Sequence, residues 1–176
     1  MNKEDLVKSK IRDINDFPVK GIVFKDITTV LKDKEGFKAI VDFMKDKFKN
    51  SGTDYVAGVE SRGFIFGAAL ASELGAGFIP IRKPGKLPGE VISQSYDLEY
   101  GTDTIQMHKD AVEKGSKVLL VDDLLATGGT AAAACSLLEK AGANVVAAAF
   151  VIELASLNGR TKIPSNVDVV SMITYE

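Results

Sequence analysis

Five short stretches of unbroken apolar sequence dominate this chain: YVAGV at 55–59, FIPI at 78–81, VLLV at 118–121, VVAAAFVI at 145–152 and VVSMI at 169–173. A strand with one wet face alternates apolar and polar residues. These do not, so each reads as a strand covered on both faces, as in a parallel sheet. Parallel strands need crossovers, and helix-period segments lie between the runs. Phe37, Ile40, Val41, Met44 and Phe48 recur at spacings of three and four after Glu35 and stop at Asn50–Gly52. GFIFGAALASELG at 63–75 and GTAAAACSLLEKAG at 129–142 each close on a glycine suited to a helix C-terminus. The alternation predicts an α/β fold, a central, mostly parallel sheet flanked by helices with right-handed crossovers.

One interval breaks the pattern. Val91, then Tyr96, Leu98 and Tyr100, then Ile105 and Met107 follow a spacing of two around Gly101-Thr102, which predicts a β-hairpin over 90–109. Inserted near the C-terminal edge of a parallel sheet, such a hairpin is placed to act as a flexible lid over a site.

Composition bounds the function. A length of 176 with 45% apolar residues predicts one globular domain spanning 1–176. The longest apolar stretch, 145–152, is far short of the roughly 20 residues that cross a bilayer, so no membrane partner is expected. The 22 Lys and Arg against 24 Asp and Glu give a net charge of -2, which excludes a globally basic nucleic-acid binder. Cys135 is the only cysteine and the first residues contain no apolar run of a signal peptide, so a reducing cytoplasm is expected. Cys135, amid alanines, reads as a small core residue. His108, the only histidine, reads as a surface residue rather than a catalyst, and nothing in the spacing suggests zinc.

The segment VLLVDDLLATGGT, 118–130, carries the chemistry. A buried strand ends in two adjacent carboxylates, Asp122 and Asp123, and after a short turn Thr127-Gly128-Gly129-Thr130 opens a helix. Glycine lets the backbone approach a ligand, so main-chain amides and the two threonine hydroxyls can surround a phosphate at the positive end of that helix. No lysine follows the glycines and no G-x-G-x-x-G occurs, which excludes a Walker loop and counts against a dinucleotide fingerprint. On the residues alone, the carboxylates bind either the two hydroxyls of a ribose or a divalent cation. IRKPGK at 81–86 concentrates Arg82, Lys83 and Lys86, which is either an anion-binding loop or a solvated turn.

VLLVDDLLATGGT closely resembles the 5-phosphoribosyl-1-pyrophosphate (PRPP) binding motif of type I phosphoribosyltransferases. Segments 21–33, 60–71, 81–89, 95–112 and 153–160 resemble the adenine-using members of that family, in order and spacing from about Ile11 to Glu176. The resemblance implies the type I phosphoribosyltransferase fold, with a hood in 1–33 and the lid in 90–109. It implies a purine-salvage pentosyltransferase that joins adenine to PRPP, giving AMP and pyrophosphate, with Mg2+ held mainly by PRPP near Asp122 and Asp123. It also implies a homodimer. Ala126, Thr127, Gly128, Gly129 and Thr130 would hold the 5-phosphate, with Asp122 and Asp123 on the ribose. Ser61 and Arg62, at a helix start, together with Arg82, Lys83 and Lys86, would meet the pyrophosphate, some of them across a subunit interface. Phe24 would stack on the purine, backbone groups of Val23 and Lys25 would pair with its edge, and Leu154 would pack on its other face. Glu99 would serve as general base and Tyr100 would position the reacting groups. The alternatives are a hypoxanthine-guanine or xanthine phosphoribosyltransferase, or a PRPP-sensing regulator. The regulator is disfavoured by the negative charge and by a resemblance that starts too early to leave room for a DNA-binding extension.

Overall fold

The structure, a computed structural model, describes residues 1–176. Helix α1 (Lys3–Lys10) leads into an antiparallel hairpin of β1 (Arg12–Asn15) and β2 (Val23–Asp26), then the single turn α2 (Thr28–Leu31) and α3 (Lys34–Phe48). After β3 (Tyr55–Val59), α4 (Arg62–Leu74) and β4 (Gly77–Ile81) comes a second antiparallel hairpin, β5 (Val91–Asp97) and β6 (Thr102–His108). The chain finishes with β7 (Lys117–Leu125), α5 (Gly129–Lys140), β8 (Asn144–Leu154), two short 3-10 turns at Ala155–Leu157 and Gly159–Lys162, and β9 (Asp168–Tyr175).

The five apolar runs pair in the order β4-β3-β7-β8-β9, every neighbour parallel. Their uniform hydrophobicity has the expected cause. Along β7, Val118 and Leu120 enter one core with Ala134, Leu137 and Leu138 of α5 and Ile105 and Met107 of β6. Leu119 and Val121 enter a second core with Val7, Ile40, Met44, Phe66 and Leu70 from α1, α3 and α4. Alternate side chains therefore go to opposite layers, and both layers are dry. Asp33 caps α3 by accepting the Gly36 amide at 2.7 Å, and Gly75, at φ 65°, closes α4 in the left-handed region. Cys135 is buried as expected, and burial pushes its thiol up to about 12, which keeps it unreactive.

Two expectations need correction. Strand β7 does not stop at the carboxylates: its ladder with β8 continues through Leu124↔Ile152 and Leu125↔Glu153, because β8 itself runs on to Leu154. In the lid hairpin, Leu98 and Tyr100 are not strand residues. They sit in the turn between β5 and β6, 49% and 87% exposed, and the face turned to the core carries Ile92, Tyr96, Ile105 and Met107.

The N-terminal hairpin is fastened by Asp26. Its carboxylate accepts the Thr28 hydroxyl at 2.7 Å and amide at 2.9 Å, and Arg12 through Nε at 3.1 Å and Nη2 at 2.5 Å. The Thr28 bonds, seconded by Arg12, lower its pKa to about 2. A depressed carboxyl stabilises the fold at pH above its unfolded value near 4, and that contribution, about 2 kcal/mol, disappears as pH falls through about 2. Asp26→Asn is therefore expected to lower urea stability by about 2 kcal/mol at pH 7, with the gap to wild type closing between about pH 4 and pH 2.

Candidate active site

Where β7 gives way to α5, the backbone turns through Ala126, Thr127 and Gly128. Gly128 adopts φ 84°, and an ideal Cβ there would lie 2.9 Å from both Cα and the carbonyl carbon of Gly159. Only glycine satisfies both the left-handed backbone and this contact. The loop and the start of α5, with Thr127 and Thr130, line a cleft of about 210 Å³ together with Arg62 and the rest of residues 122–131. All five residues expected to hold the 5-phosphate line this cleft, together with both aspartates.

The aspartates are partnered. Asp122 Oδ1 accepts the Asp123 amide at 2.8 Å, and Asp123 Oδ2 accepts Arg62 Nε at 2.5 Å. Gly63 makes the approach of α4 possible, since a Cβ there would fall 2.9 Å from the Val121 carbonyl and 3.0 Å from Asp122 Oδ1. Burial, then the charge of Asp123, pushes the Asp122 carboxyl well above the usual carboxylate range. Arg62 is thus the counter-ion of this pair through Nε, and its Nη1 and Nη2 groups make no hydrogen bond to the aspartates.

A second cavity, about 150 Å³, adjoins the first and is lined by Glu60, Ser61, Arg62, Lys83, Tyr96, Asp122, Asp123 and Thr130, among others. Ser61, Arg62 and Lys83 of the expected pyrophosphate set reach it, whereas Arg82 and Lys86 lie beside it on Glu60. Lys86 Nζ is 3.2 Å from Glu60 Oε2, Arg82 Nε is 3.4 Å from Oε1, and the Lys83 amide donates to Oε1 at 2.5 Å. Burial alone would raise the Glu60 carboxyl, but the Lys83 amide, Lys86 and Arg82 outweigh it and hold the group below its ordinary range. The basic loop thus arches over an acid while Pro84, Gly85 and Lys86 at its tip stay exposed. Glu60 was not among the expected site residues, although the register carries the signal. Val59 pairs with Ile81, so the next residues, Glu60 and Arg82, must be neighbours.

At the expected base site, β2 pairs only with β1, which leaves backbone groups on its far edge unpaired in the sheet. Phe24 packs edge-on against Phe17 with centroids 5.2 Å apart, and Val23 is 46% exposed. The Lys25 side chain is occupied, 2.8 Å from Asp13 Oδ1 and 4.3 Å above the Tyr175 ring, which leaves only its main chain to read a ligand. Tyr175 is the β9 partner of Leu154, so this contact brings the hairpin to the strand end that carries Leu154. Neither this group nor Glu99 and Tyr100 lines the 210 Å³ cleft. His108 is half-buried, its Nε2 2.9 Å from the Pro88 carbonyl.

One further ion pair supports the site. Glu153 is buried and takes Arg160 in a bidentate pair at 2.6 and 2.7 Å, and Arg160 Nη1 also reaches the Val169 carbonyl at 2.9 Å. Those Arg160 bonds hold the Glu153 carboxyl below its usual range. The pair fastens the turn that bears Gly159, the residue under Gly128.

Comparison with known proteins bears on this geometry. The family described as phosphoribosyl transferase domain matches residues 26–175. Adenine phosphoribosyltransferase of Thermosynechococcus vestitus is 55% identical over 169 residues, covering 96% of this chain and 99% of the relative. The crystal structure of adenine phosphoribosyltransferase from Saccharomyces cerevisiae, complexed with an imino-altritol bisphosphate and adenine, superposes with a TM-score of 0.91. It is 40% identical and covers 97% of this chain and 98% of that one. The Trypanosoma brucei enzyme, in complex with AMP, pyrophosphate and ribose-5-phosphate, gives a TM-score of 0.91 at 28% identity, covering 99% of this chain and 80% of that one.

Proposed function

The chain belongs to the phosphoribosyltransferase family, and we propose how its residues divide the work of moving a 5-phosphoribosyl group from PRPP to adenine. The reaction is one of purine salvage and yields AMP and pyrophosphate. One observation carries the assignment of roles: the start of α5, Thr127 and Thr130, two aspartates and an arginine line a single cleft. Amides and hydroxyls suit a phosphate dianion, while carboxylates suit the hydroxyls of the attached sugar. Ala126 to Thr130 hold the 5-phosphate, and Asp122 and Asp123 accept from the ribose. Pyrophosphate is received by Ser61, Arg62 and Lys83 in the adjoining cavity, with Arg82 and Lys86 adding positive charge.

Magnesium fits this donor set. Carboxylate oxygens are the hard ligands Mg2+ prefers, and two of them suffice for a cation that keeps water and phosphate oxygens in its shell. No three His, Cys, Asp or Glu side chains gather into a site of their own. Bound with PRPP, the ion would neutralise charge on the pyrophosphate; Asp122 and Asp123 are the residues that would face it.

Adenine is selected on the edge of β2. A backbone carbonyl of Val23 or Lys25 accepts the exocyclic amine of adenine but meets a carbonyl oxygen in hypoxanthine, at a cost of roughly 1 to 3 kcal/mol per unpaired acceptor. Phe24 and Leu154 cover the two faces of the ring. The transferring sugar develops oxocarbenium-like charge that water would trap, so the β5–β6 hairpin closes to exclude solvent and brings Glu99 and Tyr100 inward. Glu99 then takes the imidazole proton of the purine, and Tyr100 orients the reacting groups. Glu99→Gln is expected to lower kcat by about 10²-fold while the KM for PRPP stays within about threefold. Steady-state kinetics read both, and a raised KM with normal kcat would remove Glu99 from the role of base.

The working unit is a homodimer in the cytoplasm, without a nucleic-acid partner. The dimer is what the sequence resemblance implies, the buried free Cys135 suits that compartment, and the net charge of -2 disfavours a polyanion. No helix is long and apolar enough to cross a membrane.

A further inference from the structure

The inner face of the β5–β6 hairpin carries two residues with no part in the roles above. Tyr96 and Asp103 stand opposite one another in the hairpin register. The Tyr96 hydroxyl donates to Asp103 Oδ2 at 3.2 Å and lies 3.0 Å from the Thr130 hydroxyl of the phosphate loop. The same carboxylate oxygen takes the ammonium group of Lys83, while Oδ1 accepts the Thr104 amide at 2.8 Å. Lys83, Tyr96 and Thr130 all line the 150 Å³ cavity.

An ionised carboxylate on the lysine that faces an anion cavity occupies that lysine as a bound anion would. We propose that Asp103 is an internal competitor for pyrophosphate: its carboxylate holds Lys83 in the free enzyme, and pyrophosphate displaces it to reach that lysine. The inference rests on Lys83 being a pyrophosphate ligand. Asp103 suits exchange better than Glu60 does. Each accepts a main-chain amide, but Glu60 also holds two cations and its side chain is 11% exposed, whereas Asp103 holds one cation on a hairpin and its side chain is 29% exposed. The Lys83 hydrogen bond keeps the Asp103 carboxyl below its usual range, so the competitor is charged at neutral pH. Tyr96, anchored on Thr130, keeps the carboxylate aimed at Lys83, and its return as pyrophosphate leaves assists product release.

The test is calorimetric titration of inorganic pyrophosphate, at fixed magnesium and ionic strength, into wild type, Asp103→Asn, Lys83→Ala and the double variant. Asparagine preserves shape and can still bond Tyr96 and Thr104, and Asp103→Ser is a second variant should asparagine disturb the hairpin. Relative to wild type, Asp103→Asn is expected to bind pyrophosphate about three- to fivefold more tightly and Lys83→Ala more weakly. In the Lys83→Ala background the Asp103 substitution should bring no gain. A general loss of negative charge would improve binding with or without Lys83, so a gain that persists in the double variant overturns the proposal. Normal weakening in Lys83→Ala with no gain in either Asp103 variant overturns the proposal alone, and unchanged affinity in Lys83→Ala overturns it together with the assignment of Lys83.

Discussion

Replacing Asp122 and Asp123 together with asparagine is expected to lower kcat/KM for PRPP by about 10³-fold. Each carboxyl is read as accepting a ribose hydroxyl, and leaving such a buried hydrogen bond unmade costs roughly 1 to 3 kcal/mol. Two such losses span about 10² to 10⁴ in rate. Stability should change far less. Burial and Asp123 already disfavour the charge on Asp122, so neutral asparagine relieves a strain. Arg62, with its side chain 41% exposed, can turn to water when Asp123 loses its charge. Steady-state kinetics together with urea unfolding separate the two effects, and an unchanged kcat/KM would refute the ribose assignment.

The second large effect is expected at Gly128. Alanine there meets two obstacles, a left-handed φ and the backbone of Gly159, and neither backbone can yield like the end of a flexible side chain. The loop must shift, and displacement of phosphate-binding amides by about 1 Å costs on the order of 10² in rate. Gly128→Ala should therefore lose at least about 10²-fold in kcat/KM for PRPP and lower the melting temperature. Gly115→Ala is the control. Its φ is 85° but no atom lies within 4 Å of the added Cβ, so it isolates backbone strain, about 1 kcal/mol, and should leave PRPP kinetics near wild type. Equal kinetic loss in both variants would remove the Gly128–Gly159 contact from the explanation.

The parallel sheet was legible because its five runs are almost wholly apolar, with Ser171 the one polar side chain, a pattern that burial on both faces produces. The turn at 126–128 and the helix start that follows it were legible because their parts are contiguous in sequence. What escaped was carried by pairs remote in sequence and near in space. Glu60 meets Arg82 and Lys86 only because β3 and β4 lie side by side, and Asp103 meets Lys83 only because the hairpin folds back over the sheet. Gly159 comes beneath Gly128 through the turn fastened by Glu153 and Arg160, and no local signal in 153–160 announces it. The hairpin shows the limit of period-two reading. Leu98 and Tyr100 keep the alternation but fall in the turn, where the chain reverses and their side chains lose the core. Glu99 and Tyr100 are exposed at the hairpin tip, so the roles proposed for them require the hairpin to close.

Incubating the protein with PRPP, magnesium and either adenine or hypoxanthine, and quantifying nucleotide and pyrophosphate, bears on the whole assignment at once. AMP and pyrophosphate are expected in equal amounts from adenine, with transfer to hypoxanthine at least about tenfold slower. No AMP from adenine, or hypoxanthine transferred as fast as adenine, would contradict it.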